Sequence, residues 1–255
     1  WCVPFAGVLN GATQYFGGPN PQPRHILEII HRERVTVVGA VPTVWVAIHG
    51  ILEKEAGWDI SCVRCIPIGG SAAPRTLIET FDKRYGAFML HAWGMTEMSP
   101  LGTLSRLKSY MDAWPEDERY AVRAKQGAPV AGVDMRIVDD SGTVLPWDGK
   151  SAGEIQVRGP WITSGYYNNP EGAAQFTEDG WFRTGDVATL DPDGYIQITD
   201  RTKDLIKSGG EWISSVDMET TIVGHPKVLE AAAIAVPHER WLERPLACVV
   251  PKPEH

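Results

Sequence analysis

Helix and strand signals alternate through residues 21–100, then give way after about residue 125 to short strands broken by turn residues. That change of texture constrains the fold more than any other feature of the chain. In the first stretch PQPRHILEIIHRER carries Ile26, Ile29 and Ile30 at helical spacing, and VTVVGA reads as a buried strand. PTVWVAIHGILEKE predicts a helix opened by Pro42, and SCVRCIPIGG has strand character ending at a Gly-Gly turn. PRTLIETFDKRYG predicts a helix with Pro74 in its first turn and Gly86 beyond its end. AFMLHAWG closes the series as another strand. This alternation predicts βαβ units, a largely parallel sheet and function at strand carboxyl ends. Both IGGSAAP and HAWGMTE occupy such ends.

The later half reads differently. GAPVAGVDMRIVDDSGTVLP and GEIQVRGPWITSGYY are turn-broken strands suited to a small antiparallel β-barrel. NPEGAAQFTEDG predicts a helix that interrupts it, followed by a hairpin around Asp191–Gly194. Beyond Arg201, Ser214 and Asp217 form a capping-box pattern ahead of SVDMETTIVGH, with strands VLEAAAIAV and PLACVVPKP behind. The expected fold class is α/β: a partial α/β sheet over 1–125, a barrel-like part over 126–199, a linker at 200–207, and the start of a small α+β domain over 208–255.

Composition narrows the function. A formal charge of −8 without a Lys/Arg block argues against nucleic acid or an anionic membrane surface as partner. No apolar run approaches the roughly 18 residues of a membrane helix. WCVPFAGVLNGA has neither a basic leader nor an initiator Met, so the expectation is an internal piece of a longer chain. Four cysteines (Cys2, Cys62, Cys65 and Cys248) are too sparse for a disulfide framework, which fits a reducing cytoplasm. Cys62 and Cys65 form a C-x-x-C, but in a strand they would face opposite ways, so buried cysteines are expected rather than a metal or redox pair.

Charged clusters stand out at 181–213, in WFRTGDVATLDPDGYIQITDRTKDLIKSGGEWI. Asp186 follows a Thr-Gly turn, and Arg201, Lys203, Asp204 and Lys207 precede a Gly-Gly pair. A carboxylate offered from a tight turn can accept both hydroxyls of a ribose. Cations beside flexible glycines suit phosphate oxygens. The plainer reading, a polar hairpin with solvated charges, would serve for any one of these residues but not for the ordered set.

That set resembles the adenylate-forming superfamily of acyl-CoA synthetases, luciferases and peptide-synthetase adenylation domains. The TGD turn, the D-R-x-K-D linker and the K-S-G-G-E-W-I-S run look most like the medium- and long-chain fatty-acyl-CoA synthetases. The resemblance implies ATP, Mg2+ and coenzyme A as cofactor and substrates, and a fatty acid or similar carboxylic acid activated as an acyl-adenylate. It implies that Gly69, Gly70 and Ser71 of GGSAAP line the adenylate, and that His91, Ala92 and Trp93 pass the adenine and the acyl-adenylate carbonyl. Thr96 would donate to the α-phosphate and Glu97 would ligate magnesium; the plainer reading of Glu97 is a helix-start carboxylate. Asp186 would bind the ribose, Ile198 would lie against adenine, and Arg201 would sit near ribose and phosphates. Lys203 would be the hinge of a swinging C-terminal domain, while Lys207 and Trp212 would reach the adenylate phosphate or close the site. Gly209 and Gly210 would line the path of coenzyme A, and Trp1 would gate the acyl tunnel. Trp45 would flank the acyl pocket, against a plainer reading as core.

Two elements of the resemblance are missing from the sequence: a Ser/Thr/Gly-rich phosphate loop and a lysine late in the small domain. The chain alone is therefore expected to lack appreciable ligase activity. Alternatives are a ligase for a short sulfur-containing or aryl acid, and a non-catalytic nucleotide-binding module. A luciferase-like oxygenase has no positive support in the residues. The resemblance also admits a homodimer.

Overall fold

The computed structural model describes residues 3–201, 205–208, 211–223, 225 and 227–252, with the side chains of 207, 211, 212, 217 and 220 excepted. The chain divides into two units. One contains Trp1–Val133, Gly159–Thr163 and Gly194–Ile196; the other contains Asp134–Arg158, Ser164–Asp193 and Gln197–His255.

In the first unit, helices α1 (Val3–Leu9), α2 (Pro23–Glu33), α3 (Pro42–Lys54), α4 (Arg75–Tyr85) and α5 (Glu116–Ala124) accompany strands β1 (Cys65–Ile68), β2 (Phe88–Gly94), β3 (Leu101–Leu104) and β4 (Ala128–Pro129). Proline opens α2 and α3, where its missing N–H has no helical partner to lose. Left-handed Gly86 closes α4 at φ 65°, donating to the Asp82 and Phe81 carbonyls. Leu27 and Ile30 of α2, Trp45 and Ile48 of α3, and Ile78 and Phe81 of α4 bury against Ile66, Ile68 and Met89 of the strands. Trp45 is fully buried with its ring edge-on to Phe81 at 5.3 Å, so it is a core residue.

β1 and β2 are parallel, β2–β3 and β3–β4 antiparallel. The largely parallel sheet expected from the alternation is therefore mixed. Only six residues, 95–100, connect β2 to β3, too few for the crossover that parallel neighbours need. VTVVGA contributes parallel bridges, Val37 to Cys65 and Ala40 to Ile68, instead of a full strand. Cys62 lies in a turn before β1, so the opposite-face argument for the cysteine pair does not apply. The Cys62 thiol instead points to the Ile30 carbonyl at 3.9 Å, and burial pushes the Cys65 thiol up. Among the described residues no group of three or more metal-ligating side chains forms.

The second unit holds the antiparallel strands β5 (Asp134–Val138), β6 (Ala152–Arg158), β7 (Phe182–Leu190) and β8 (Ile196–Arg201), hydrogen-bonded in that order. The segment predicted as an interrupting helix is a short 3-10 turn, Pro170–Gln175, with Asn169 accepting from the Gly172 N–H. Downstream, β9 (Ile206–Ser208), β10 (Glu211–Ile213), β11 (Val228–His238) and β12 (Leu242–Pro251) form a sheet of order β10–β9–β12–β11. Helix α6 (Ser215–Val223) packs on β11, where Glu219 accepts the Ala233 N–H at 2.8 Å. Among the described residues no helix is long and apolar enough to cross a membrane.

Candidate functional site

The candidate residues fall into two clusters, one in each unit. In the first, β1 and β2 run parallel, so the turns that leave their carboxyl ends emerge from the same sheet edge. Gly69 begins the turn after β1, where an added Cβ would lie 2.7 Å from the Ala92 carbonyl oxygen. Gly70 follows at φ 87°, and Ser71 is exposed.

Period-2 alternation sorts HAWG. Met89, His91 and Trp93 turn to the buried side of β2, and Ala92 turns to the other. His91 is fully buried and its imidazole is committed to backbone. Nδ1 contacts the Ala124 carbonyl at 3.0 Å, and Nε2 accepts the Ala73 N–H at 3.3 Å. That pairing selects the neutral tautomer with the proton on Nδ1, and burial holds the imidazole pKa below its ordinary value. His91 is thus a strut joining the 69–74 turn, β2 and the end of α5.

GMTE folds back on the end of β2. A Cβ on Gly94 would lie 1.8 Å from the Pro100 carbonyl oxygen, so no other residue fits there. Thr96–Met98 forms one 3-10 turn anchored by buried Met98, which occupies the space beside Gly102 and the Trp93 ring. The Thr163 N–H donates to the Glu97 carbonyl at 2.7 Å, fixing the backbone from outside. Thr96 is exposed and Glu97 half-buried, which leaves a hydroxyl and a carboxylate carried on an anchored turn.

The second cluster is built on a bulge. β6 and β7 pair as Glu154 with Val187 and Gln156 with Arg183, so Thr184, Gly185 and Asp186 together oppose Ile155. Gly185 makes this accessible at φ 72°. The Thr184 hydroxyl donates to the Ile155 carbonyl at 2.8 Å and accepts the Asp186 N–H at 3.1 Å. Arg201, at the end of β8, places Nε 3.4 Å from Asp186 Oδ1. The half-buried Ile198 lies on the same strand. The cluster therefore offers an acceptor-only carboxylate, positioned by a strand bulge, with a cation beside it.

Lys203, Gly209, Gly210 and Trp1 lie outside the described residues, as do the side chains of Lys207 and Trp212. The sequence reading missed three contributors: the Thr184 hydroxyl, the Thr163 backbone and Asp200. Thr184 and Asp200 stood inside quoted motifs, yet nothing in their spacing announced hydrogen bonds to Ile155 or to the start of α6.

Comparison with known proteins matches residues 1–167 to the AMP-binding enzyme family and residues 217–255 to the AMP-binding enzyme C-terminal domain. A long-chain-fatty-acid–CoA ligase of Thermus thermophilus is 48% identical over 255 residues, covering 100% of the chain and 47% of that protein. A 3-methylmercaptopropionyl-CoA ligase of Ruegeria pomeroyi is 44% identical over 250 residues, covering 98% of the chain and 46% of that protein. The chain thus spans about half the length of these curated relatives. Among solved structures, o-succinylbenzoate CoA synthetase of Bacillus subtilis with the acyl-adenylate intermediate superposes at a TM-score of 0.78, with 30% identity over 97% of this chain and 48% of that one.

Proposed function

The chain belongs to the AMP-binding enzyme family, and from that premise we propose that it forms part of an ATP-dependent acyl-CoA ligase acting on a medium- or long-chain fatty acid. In this reading the carboxylate oxygen of the acid attacks the α-phosphorus of ATP, giving acyl-adenylate and pyrophosphate. The coenzyme A thiol, losing its proton, then attacks the acyl carbon, and AMP leaves.

The first step asks little acid–base chemistry of the protein; it asks for positioning and for neutralisation of phosphate charge. Asp186 accepts the ribose hydroxyls, and Arg201 lies near ribose and phosphates. Thr96 donates to the α-phosphate from its anchored turn. The acyl-adenylate lies along the backbone of Gly69, Gly70 and Ser71, where the absence of side chains at the two glycines leaves the main chain approachable. Neutral His91 holds that backbone in place and has no proton-transfer role.

Magnesium fits the donor chemistry of the GMTE turn. This ion is commonly held by one or two carboxylates together with substrate phosphates, and Glu97 offers one half-buried carboxylate. Bound there, it would neutralise phosphate charge. The same reading includes a cytoplasmic location and a homodimer, the latter open to sedimentation analysis.

The observation that carries the nucleotide reading is Asp186 held at a glycine-dependent bulge with Arg201 beside it. The acid class is supported by the long-chain-fatty-acid–CoA ligase among the relatives. A second reading, a short sulfur-containing acid, is favoured by the 3-methylmercaptopropionyl relative. Acid-dependent exchange of pyrophosphate into ATP, measured on a protein carrying this chain at its relatives' full length, separates them. Exchange that peaks between octanoate and palmitate supports the first reading, and a maximum at 3-methylmercaptopropionate supports the second. Exchange with no acid at all removes both.

A further inference from the structure

Asp200 is only 3% exposed, the least exposed acid among the described residues. Its Oδ1 accepts the Arg201 N–H at 2.7 Å. Its Oδ2 accepts from Ser215, 15 residues further on, through the N–H at 2.6 Å and the hydroxyl at 3.0 Å. Alongside, the Ser214 hydroxyl donates to the Thr199 carbonyl at 2.8 Å. Two consecutive residues near the end of β8, Thr199 and Asp200, therefore grip Ser214, just before α6, and Ser215, its first residue, with β9 and β10 looped between them.

Helix starts leave N–H groups unpartnered, and the usual remedy is a side chain immediately before the helix. Here an acid on a distant strand reaches one of them. The arrangement has a consequence for α6. A buried carboxylate is tolerable only while its hydrogen bonds persist, so α6 cannot shift without stranding Asp200. The same carboxylate holds the N–H of Arg201, whose guanidinium reaches Asp186.

We infer that Asp200 is a positioning residue that ties the start of α6 to the strand end carrying Arg201, so that the placement of Arg201 beside Asp186 depends on α6 being docked. The bearing on nucleotide binding rests on the function proposed above; the tie itself does not.

Ser215→Pro tests this. It deletes both Ser215 donors yet suits the first position of a helix, where proline is favoured. Amide hydrogen exchange on the chain should then quicken by at least about tenfold in α6 and at the Arg201 N–H, because hydrogen bonds to a charged group are lost. Amides of β5 and β6 should be unchanged, and AMP binding should weaken. Ser215→Ala, which keeps its N–H, should fall between. Should Ser215→Pro fail to fold, Ser215→Ala and Asp200→Asn carry the comparison in the same direction. Faster exchange confined to α6, with the Arg201 amide as in the parent, would reduce Asp200 to a helix cap and overturn the proposal. Unchanged exchange throughout would overturn it as well. Absence of AMP binding by the parent would count against the nucleotide reading alone, since the exchange comparison still decides the tie.

Discussion

Arg201 and Asp186 lie 3.4 Å apart, Nε to Oδ1, on neighbouring strands, and they are unequally placed: the arginine side chain is 63% exposed and the aspartate 12%. The acid is the fixed member of the pair, seated in the bulge of β7. The cation approaches it from the solvent side, where water screens the attraction.

Exposure on the arginine side makes the pair a weak contributor to stability. Arg201→Ala should alter the unfolding free energy by less than about 1 kcal/mol in a urea titration. Its effect should appear in nucleotide affinity instead, and a large loss of stability would mean that the pair is structural.

Two glycines should respond differently to the same methyl group. At Gly94 an added Cβ meets the Pro100 carbonyl oxygen at 1.8 Å, a backbone atom that cannot swing aside. Gly94→Ala should cost on the order of 3 kcal/mol or more, with the GMTE turn displaced. At Gly185 nothing lies within 4 Å, so Gly185→Ala should cost only the left-handed backbone strain, about 1–2 kcal/mol. Thermal melts of the two variants give the order directly.

These glycines mark how far the sequence could be read. Core helices were legible because apolar spacing is local: Ile26 and Ile30 of α2 pack into the core as their spacing predicts. The TGD turn stood out as a candidate because its residue types suit nucleotide chemistry, and GMTE stood out through the resemblance to the adenylate-forming superfamily. The bulge at Thr184–Asp186 was not, since it is defined by what β6 leaves unpaired at Ile155. His91 reads as a candidate ligand-facing residue until strand alternation is known, and the buried contacts to Ala73 and Ala124 come from distant segments. VTVVGA looked like a full strand by composition, yet it makes only isolated bridges beside β1.

Burial of His91 predicts a pH dependence of stability. Its folded pKa is lowered from 6.5, so the unfolded chain takes up the proton first as pH falls. The contribution is complete above about pH 6.5, the unfolded value, and is lost as pH drops toward the folded one. Urea midpoints measured between neutral and mildly acidic pH should decline in the parent. His91→Gln, less stable overall, should decline less steeply.

Tyr120 gives the opposite sign at alkaline pH. Desolvation first, then its hydrogen bond to Asp82, pushes its pKa from 10.0 up to about 12. Stability supplied by the protonated phenol is complete below the unfolded value and lost as pH rises through the folded one. Tyr120→Phe should flatten the fall in stability between those pH values, followed by circular dichroism; an equally steep fall would place the titration elsewhere.

The account turns on Asp186 as the acceptor for ribose hydroxyls. The most direct measurement compares the affinity of the chain for AMP with its affinity for the analogue lacking both ribose hydroxyls, in the parent and in Asp186→Ala. The account predicts a preference for AMP of about tenfold or more in the parent, the scale of hydrogen bonds to a charged group, and its disappearance in the variant. Equal affinities in the parent, or a preference that survives in Asp186→Ala, would contradict it.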